Sequence, residues 1–295
     1  MSYPHLQPKT ASIVDRSQDA RIKWMRERRW FGYPRAQEII DELEELLVYP
    51  RVDRMPNLSI VGRTNNGKSS ICREFYLRHP VDENPEGEHI IVPVLYVECP
   101  GTPSEGGLYA EILRALYEKS IPGSVEAQKS RVISVMRSIQ VKVLIIDELH
   151  NLAVVGSIKQ HQVLTSLKYL SNTLRISIVA CGDARLPRIM RIDEQIENRF
   201  RTAVIPKWKC DKAFRQLLMS FERTLPLREA SNLHDKELAT ILYAKCEGTI
   251  GELAELLKQL AQRAIMNGEE KITIQAVIDC KYVSPSDRKN SLSEI

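Results

Sequence analysis

The chain has 295 residues, of which 43% are hydrophobic, 27% charged and 6% aromatic, and it carries a formal net charge of +4. This composition excludes collagen-like, mucin-like and wholly disordered chains, and the length is sufficient to bury a core without disulfides or structural metals. The sequence has no apolar run long enough to cross a membrane, and its first ten residues lack the apolar segment of a signal peptide, so we expect a cytoplasmic protein.

The basic excess is concentrated in the N-terminal segment, residues 1–35, which we predict to form a separate basic and aromatic arm. Trp24, Trp30, Phe31 and Tyr33 alternate there with arginines in RIKWMRERRWFGYPR. Two interpretations remain open. The segment either packs on a partner or a nucleic-acid backbone, or forms a helix whose aromatic side chains pack on their own domain.

From residue 36 onward the hydrophobic pattern predicts regular secondary structure. An amphipathic helix over 36–48 comes first, and buried strands then alternate with helices. The predicted strands are 57–62, 90–99, 141–147, 175–182 and 202–208, and the helices between them are 68–78, 107–119 and 158–174. Strands that are apolar on both faces and joined by helices indicate an α/β domain, residues 36–206, with a parallel sheet.

The pattern changes after Trp208, where only helical segments follow. We therefore predict a small all-helical domain over residues 207–283. The last stretch, residues 284–295, is polar and is expected to be a frayed tail.

A phosphate-binding loop follows the first predicted strand. Its residues are Gly62, Arg63, Thr64, Asn65, Asn66, Gly67, Lys68 and Ser69, a complete G-x-x-x-x-G-K-[ST] P-loop, and Ser70 comes next. The glycines let successive backbone N–H groups converge on phosphate oxygens, and the following helix adds the positive end of its dipole. Lys68 is expected to reach the β- and γ-phosphates of ATP, and the Ser69 hydroxyl to ligate Mg²⁺.

An acidic pair ends the third predicted strand, VLIID. Asp147 is expected to hold Mg²⁺ through water, and Glu148 to polarise the attacking water. Together with the P-loop, this pair predicts a Mg²⁺-ATP site that hydrolyses ATP. A small-molecule kinase is disfavoured, because the pair suits activation of water better than transfer of phosphate to a metabolite.

Three further positions extend the predicted site. Asp183, after the fourth strand, is either a γ-phosphate sensor of the kind found in AAA+ ATPases or a turn residue. Arg199 and Arg201 lie just before the predicted fifth strand, where an arginine can reach a neighbouring subunit's γ-phosphate, or they are surface residues. His150 is expected to neighbour the site rather than to ligate a metal.

At this point the sequence resembles the AAA+ proteins of the TniB type, which are relatives of TnsC and more distantly of MuB. The segments that carry the resemblance are WFGYPRA (30–36), RMPNLSIVGRTNNGKSS (54–70), VLIIDELHNL (143–152), LKYLSNTLRISIVACGDARL (167–186), DEQIENRFR (193–201), LPLREASNL (225–233) and EGTIGELAELL (247–257). The resemblance covers about residues 20–288. It implies a P-loop AAA+ ATPase fold, with a parallel sheet core followed by a helical lid.

The resemblance also implies a function. Proteins of this type are bacterial, DNA-associated ATPases that oligomerise on double-stranded DNA as rings or helical filaments. They mark target sites and recruit a DDE-type transposase similar to TniA or TnsB, together with a TniQ-like targeting protein, in some relatives in association with a CRISPR complex.

Two features depart from this pattern. Many AAA+ proteins have a nucleotide-sensing arginine in the lid, whereas residues 248–252 here read GTIGE. The loops that contact DNA in relatives are poor in lysine here, so the resemblance leaves a small set of DNA-binding candidates: Thr102, Ser104, Lys119, Lys129 and Arg131.

Two alternative functions share the predicted phosphate site. One is a nucleotide-gated adaptor in which ATP is a structural ligand and turnover is negligible. The other is an ATPase similar to clamp loaders or DNA-uptake motors, unrelated to transposition.

Overall fold

The structure is a computed structural model that describes residues 3–117 and 124–288. The chain divides into two compact units. We call them the sheet unit, which comprises Pro34–Thr64 and Lys68–Pro206, and the helical unit, which comprises Met1–Tyr33, Asn65–Gly67 and Lys207–Ile295. The middle of the P-loop therefore groups with the helical unit.

The secondary structure alternates through the middle of the chain and is helical at both ends. The strands are β1 (Asn57–Gly62), β2 (Val94–Glu98), β3 (Val143–Asp147), β4 (Ser177–Gly182) and β5 (Phe200–Ile205). The helices are α1 (Pro8–Val14), α2 (Gln18–Arg26), α3 (Pro34–Val48), α4 (Lys68–Arg78), α5 (Glu105–Ala115), α6 (Val125–Ser138), α7 (Ser157–Leu174), α8 (Leu186–Met190), α9 (Glu194–Glu197), α10 (Lys212–Glu222), α11 (Lys236–Cys246), α12 (Ile250–Asn267) and α13 (Ile274–Ile278). A 3₁₀ helix, Leu149–Val154, follows β3.

The sheet unit is built on five parallel strands in the order β2-β3-β4-β1-β5. Every residue of β1, β3 and β4 is buried, because helices cover both faces of a parallel sheet. Leu144 and Ile146 of β3 pack on one face in the same core cluster as residues of α5, α6 and α7. The predicted parallel α/β fold is confirmed, and it brings the carboxyl ends of β1, β3 and β4 to one edge of the sheet.

The differences from the predicted elements that matter for the site concern β2, β5 and α6. β1 has the predicted bounds, whereas β2 is shorter than predicted because Pro93 precedes it and has no N–H to donate to a ladder. β5 begins at Phe200, so Arg201 lies within the strand rather than before it. Helix α6 was not predicted; Ser124 caps its N-terminus, and it buries Val132 and Met136.

The helical unit has its own core, in which leucines of α10, α11 and α12 pack together. Met25 of α2 joins this cluster. None of the helices in the described ranges combines the length and the apolar character that crossing a membrane requires.

The basic and aromatic N-terminal segment packs within the helical unit. The Phe31 and Phe221 ring centroids are 4.1 Å apart, and those of Tyr33 and Trp208 are 5.0 Å apart. Arg21 is 2% exposed, and its guanidinium donates to the Pro226 carbonyl oxygen and to the Glu270 carboxylate. For these residues the structure shows the second of the two interpretations, packing within the chain's own domain.

Candidate nucleotide site

The P-loop joins β1 to α4 and closes around the Lys68 side chain. The Lys68 Nζ atom donates to the Gly62 carbonyl oxygen at 2.9 Å and to the Arg63 carbonyl oxygen at 2.8 Å, and the residue is 5% exposed. Gly67 has a φ of +89°, in a region that side chains disfavour, which explains the glycine at this position. The strand, loop and helix arrangement that the motif predicts is present.

Asp147 ends β3 as a buried carboxylate with neutral hydrogen-bond donors. Its Oδ2 atom accepts from the Tyr96 hydroxyl at 2.5 Å, and its Oδ1 atom accepts from the Glu148 backbone N–H at 2.9 Å. Asp147 is 2% exposed, and no cationic side chain within the described ranges pairs with it. A buried and uncompensated carboxylate fits a Mg²⁺ ion, which prefers oxygen ligands.

Tyr96 on β2 was not predicted as a site residue. Burial, reinforced by the hydrogen bond to Asp147, raises the pKa of the Tyr96 hydroxyl well above its usual value, so the group stays protonated and continues to donate. The only signal for it in the sequence was a tyrosine flanked by aliphatic residues within the predicted strand.

Within the described ranges, no group of three or more His, Cys, Asp or Glu side chains is arranged to hold a metal ion. Ser69, the other predicted Mg²⁺ ligand, lies half-buried in the first turn of α4. Ser69 and Asp147 therefore suit an ion that takes its remaining ligands from water and from nucleotide phosphates.

Glu148 has a left-handed backbone conformation, with φ 55° and ψ 27°. Such a conformation costs a glutamate about 1–3 kcal/mol and tends to occur at functional sites. Glu148 lies between the last residue of β3 and the first residue of the 3₁₀ helix, and its side chain is 37% exposed. Glu148 is thus more accessible to water than its neighbour Asp147.

Asp183 follows β4 and pairs with an arginine that was not predicted. The Arg185 guanidinium donates to both carboxylate oxygens of Asp183, at 3.0 Å from Nε to Oδ1 and 2.7 Å from Nη2 to Oδ2. These hydrogen bonds hold the pKa of Asp183 below its usual value. The Arg185 backbone N–H also donates to Asp183 Oδ1 at 2.9 Å, so Asp183 has the turn role that we considered for it.

The two arginines that are candidates for action on a neighbouring subunit differ in their surroundings. The Arg199 Nη1 atom donates to the Asn172 side chain at 2.6 Å. Arg201 on β5 is 59% exposed, and its guanidinium lies 3.9 Å from the Glu45 carboxylate. Arg201 is therefore the less constrained of the two.

Within the helical unit, the middle of the P-loop contacts the start of α12. The Gly251 backbone N–H donates to the Asn65 carbonyl oxygen at 3.0 Å, and Asn65 Nδ2 donates to Glu252 Oε1 at 3.0 Å. Tyr282 and Arg288 also donate to the Glu252 carboxylate. Burial raises the pKa of Glu252, but the hydrogen bonds from Tyr282 and Asn65 and the charge of Arg288 outweigh it and hold the pKa below its usual value. Residues 248–252, which lack the nucleotide-sensing arginine of many AAA+ proteins, therefore contact the P-loop through the Glu252 carboxylate.

The predicted DNA-binding residues have varied environments. Thr102 is exposed, whereas the Ser104 hydroxyl caps α5 by accepting from the Gly107 N–H at 3.1 Å. The Lys129 Nζ atom lies 4.2 Å from the Tyr169 ring centroid. Arg131 is exposed on α6, and Lys119 lies outside the described residues.

The fold is similar to that of several solved AAA+ structures. The Aeropyrum pernix ORC2 protein in ADPNP–ADP complexes is 16% identical, with a TM-score of 0.63 over 86% of this chain and 70% of that chain. The Aeropyrum pernix ORC1 protein in complex with DNA is 16% identical, with a TM-score of 0.60 over 87% of this chain and 64% of that chain. Cdc6p from Pyrobaculum aerophilum is 14% identical, with a TM-score of 0.60 over 85% of this chain and 67% of that chain.

These likenesses show the fold of a P-loop AAA+ protein, with a parallel sheet core and a small helical unit. The chain spans less than two thirds of the ORC1 chain. Among curated protein sequences, none matches the chain. The family model described as "Bacterial TniB protein" matches residues 21–210, which is more than half of the chain. The chain belongs to the TniB family, as its sequence motifs predicted.

Proposed function

We propose that the protein binds and hydrolyses ATP, and that it regulates DNA transposition while assembled on double-stranded DNA. The observation that carries the proposal is the presence of a buried Lys68 in the P-loop after β1 together with a buried Asp147 and a half-exposed Glu148 at the carboxyl end of β3. In this proposal residues 36–206 form the ATPase domain and residues 207–283 form the lid.

Each residue of the site has a chemical role in the proposed reaction. Lys68 and the P-loop N–H groups bind the phosphates, and Ser69 and Asp147 hold Mg²⁺. When bound, the ion neutralises charge that develops on the β- and γ-phosphate oxygens. Glu148 accepts a proton from the attacking water. Because the Glu148 side chain is 37% exposed, the solvent can supply this water.

The DNA-binding part of the proposal rests on family membership and on surface charge. The ORC1 relative of similar fold was solved in complex with DNA. Lys23 and Arg26 of α2 are exposed, although Arg21 of the same helix is buried. These cations, with Thr102, Lys129 and Arg131, are our candidates for phosphate contacts.

The proposed partners follow from the TniB family. They are further copies of this chain in a ring or filament, a DDE-type transposase similar to TniA or TnsB, and a TniQ-like protein. Arg201 or Arg199 of one copy would stabilise charge on the γ-phosphate that another copy binds.

Phosphate release by the purified full chain, with Mg²⁺-ATP and duplex DNA, tests the ATPase part. We expect turnover in the wild type and in Glu88→Gln, a matched change at an exposed glutamate. Turnover should fall to background in Lys68→Ala and in Glu148→Gln, the latter with nucleotide binding intact. Phosphate release that persists in Glu148→Gln, or wild-type protein that binds ATP without releasing phosphate, would contradict the proposal; the second result would favour an adaptor.

A further inference from the structure

His150 lies between the two carboxylates at the ends of β3 and β4. Its Nε2 atom is 3.4 Å from the nearer Glu148 carboxylate oxygen and 3.5 Å from the nearer Asp183 carboxylate oxygen. The residue is 7% exposed. A Cβ atom added to Gly182 would come within 3.1 Å of the His150 Cβ atom, so the end of β4 packs closely against this histidine. His150 is therefore a buried residue whose Cβ atom packs against the end of β4.

The two carboxylates depend on His150 to different degrees. Asp183 already accepts hydrogen bonds from the Arg185 guanidinium. For Glu148, His150 is the one ion-pairing side chain within 4 Å of the carboxylate among residues 3–117 and 124–288. Among these residues His150 is therefore the nearest ion-pairing side chain that can orient Glu148, and the Arg185 charge acts on Glu148 from a longer distance.

The environment of His150 does not match a purely structural role. Its Nδ1 atom is buried and has no hydrogen-bond partner in the described part of the chain. An unsatisfied buried nitrogen costs about 1–3 kcal/mol, so this placement of the imidazole does not serve stability alone. The described residues also contain no metal-binding group that would include it.

We infer that His150 is a positioning residue that holds the Glu148 carboxylate and shares its Nε2 group with Asp183. The inference rests on the proposed function, because it assigns His150 to ATP hydrolysis by Glu148. Both distances exceed an ordinary hydrogen bond, and they are nearly equal. One Nε2–H group can donate to only one of the two carboxylates at a time, so His150 links the position of Asp183 to that of Glu148.

The inference predicts a change in kcat without a change in nucleotide binding, since Lys68 bonds to the P-loop carbonyls and not to His150. His150→Leu removes the donor and should lower kcat for ATP by about tenfold, the scale of a misplaced catalytic group. His150→Gln retains an N–H donor near the Nε2 position and should recover most of that loss. The dissociation constant of a fluorescent ATP analogue should stay within about twofold of wild type in both variants.

Asp183→Asn and the double variant His150→Leu/Asp183→Asn complete a cycle that tests the shared hydrogen bond. Because both changes act on one group, we expect the double variant to lose less than the product of the two single losses. Multiplicative losses would overturn the link between Asp183 and Glu148.

The remaining outcomes separate the inference from the proposed function. If wild-type protein shows no turnover that Glu148→Gln removes, the proposed function fails and the inference fails with it. If wild-type turnover requires Glu148, but His150→Leu keeps a kcat within about twofold of wild type, the inference alone is overturned. Equal losses in His150→Leu and His150→Gln, with weakened nucleotide binding, would show a structural role and overturn it as well.

Discussion

Gly251 and Asn65 are in direct contact, so closely that a Cβ atom added to Gly251 would lie 1.9 Å from the Asn65 side-chain oxygen and 2.7 Å from the Asn65 carbonyl oxygen. The Gly251 N–H donates to that carbonyl oxygen. The contact explains the second glycine of the GTIGE segment, Gly251, because no larger residue fits against the P-loop backbone at that position.

Replacing this glycine should weaken ATP binding. The Cβ atom of Gly251→Ala must displace Asn65, and overpacking of this kind costs about 1–3 kcal/mol. We expect the dissociation constant of a fluorescent ATP analogue to rise by about tenfold or more, because the P-loop is no longer held in its binding conformation.

Gly156→Ala is the matched control, since an added Cβ atom there meets nothing within 4 Å. It should bind the analogue as the wild type does. Equal affinities of Gly251→Ala and wild type would show that the contact does not organise the P-loop.

Tyr96→Phe should weaken the response to Mg²⁺. The Tyr96 hydroxyl holds Asp147 Oδ2, and loss of such an orienting partner typically costs 10–100-fold in metal affinity. We expect the Mg²⁺ concentration for half-maximal turnover to rise by about tenfold. Tyr76→Phe is the control, because the Tyr76 ring lies nearby, with its centroid 6.1 Å from the Tyr96 ring centroid. An unchanged Mg²⁺ response in Tyr96→Phe would assign the hydroxyl a structural role.

Arg201→Ala should reduce DNA-stimulated ATP turnover by at least about tenfold while ATP binding is preserved, because an exposed arginine on the edge strand can reach a neighbouring subunit's phosphate. The decisive measurement is ATP turnover by a mixture of two variants that are each inactive alone. Glu148→Gln subunits bind ATP and retain Arg201, and Arg201→Ala subunits retain Glu148, so the mixture should recover part of the activity that each lacks alone. A mixture that stays inactive would argue against action in trans.

Glu270→Gln should destabilise the protein by about 3–5 kcal/mol at neutral pH, because it leaves the buried Arg21 charge without its partner. Burial raises the pKa of Glu270, but the hydrogen bond and charge of Arg21 outweigh it and hold the pKa below the usual value. A lowered carboxylate pKa adds stability above the unfolded-state pKa, and this stability is lost as the pH falls through the folded-state pKa.

Urea unfolding at neutral and acidic pH tests this. The wild type and Glu270→Gln should differ most at neutral pH and converge below the usual pKa of a glutamate. Glu269→Gln, an exposed neighbour, should match the wild type throughout. If the difference in unfolding free energy between wild type and Glu270→Gln did not depend on pH, this would contradict a stabilising role for the ionised Glu270 carboxylate beside Arg21.

The features that were predicted from the sequence are those that local residues determine. The P-loop motif specifies its own backbone, and the apolar run before it specifies β1, so both were predicted with their bounds. The alternation of buried strands and helices is also a pattern of local residues, and it predicted the parallel sheet.

The features that were not predicted depend on contacts between distant parts of the chain. The Tyr96 hydroxyl reaches Asp147 because β2 pairs with β3 in a register that places Glu98 opposite Asp147. The pair of Arg185 and Asp183 is the exception, because it forms within the local turn after β4, where the sequence did not distinguish this arginine from its neighbours. The contact of Gly251 with Asn65 joins residues far apart in sequence, and the motif alone did not show what the glycine accommodates.

Our central proposal is assembly of this protein on double-stranded DNA, and we expect ATP binding to drive that assembly. Negative-stain electron microscopy tests both most directly. The samples contain the purified full chain, random-sequence duplex DNA, Mg²⁺ and either a slowly hydrolysed ATP analogue or ADP, with Lys68→Ala as the control. The account predicts rings or helical coating of the DNA by the wild type with the analogue, and none with ADP or with Lys68→Ala. Wild-type protein that remains monomeric with both nucleotides, or that coats DNA equally with both, would contradict it.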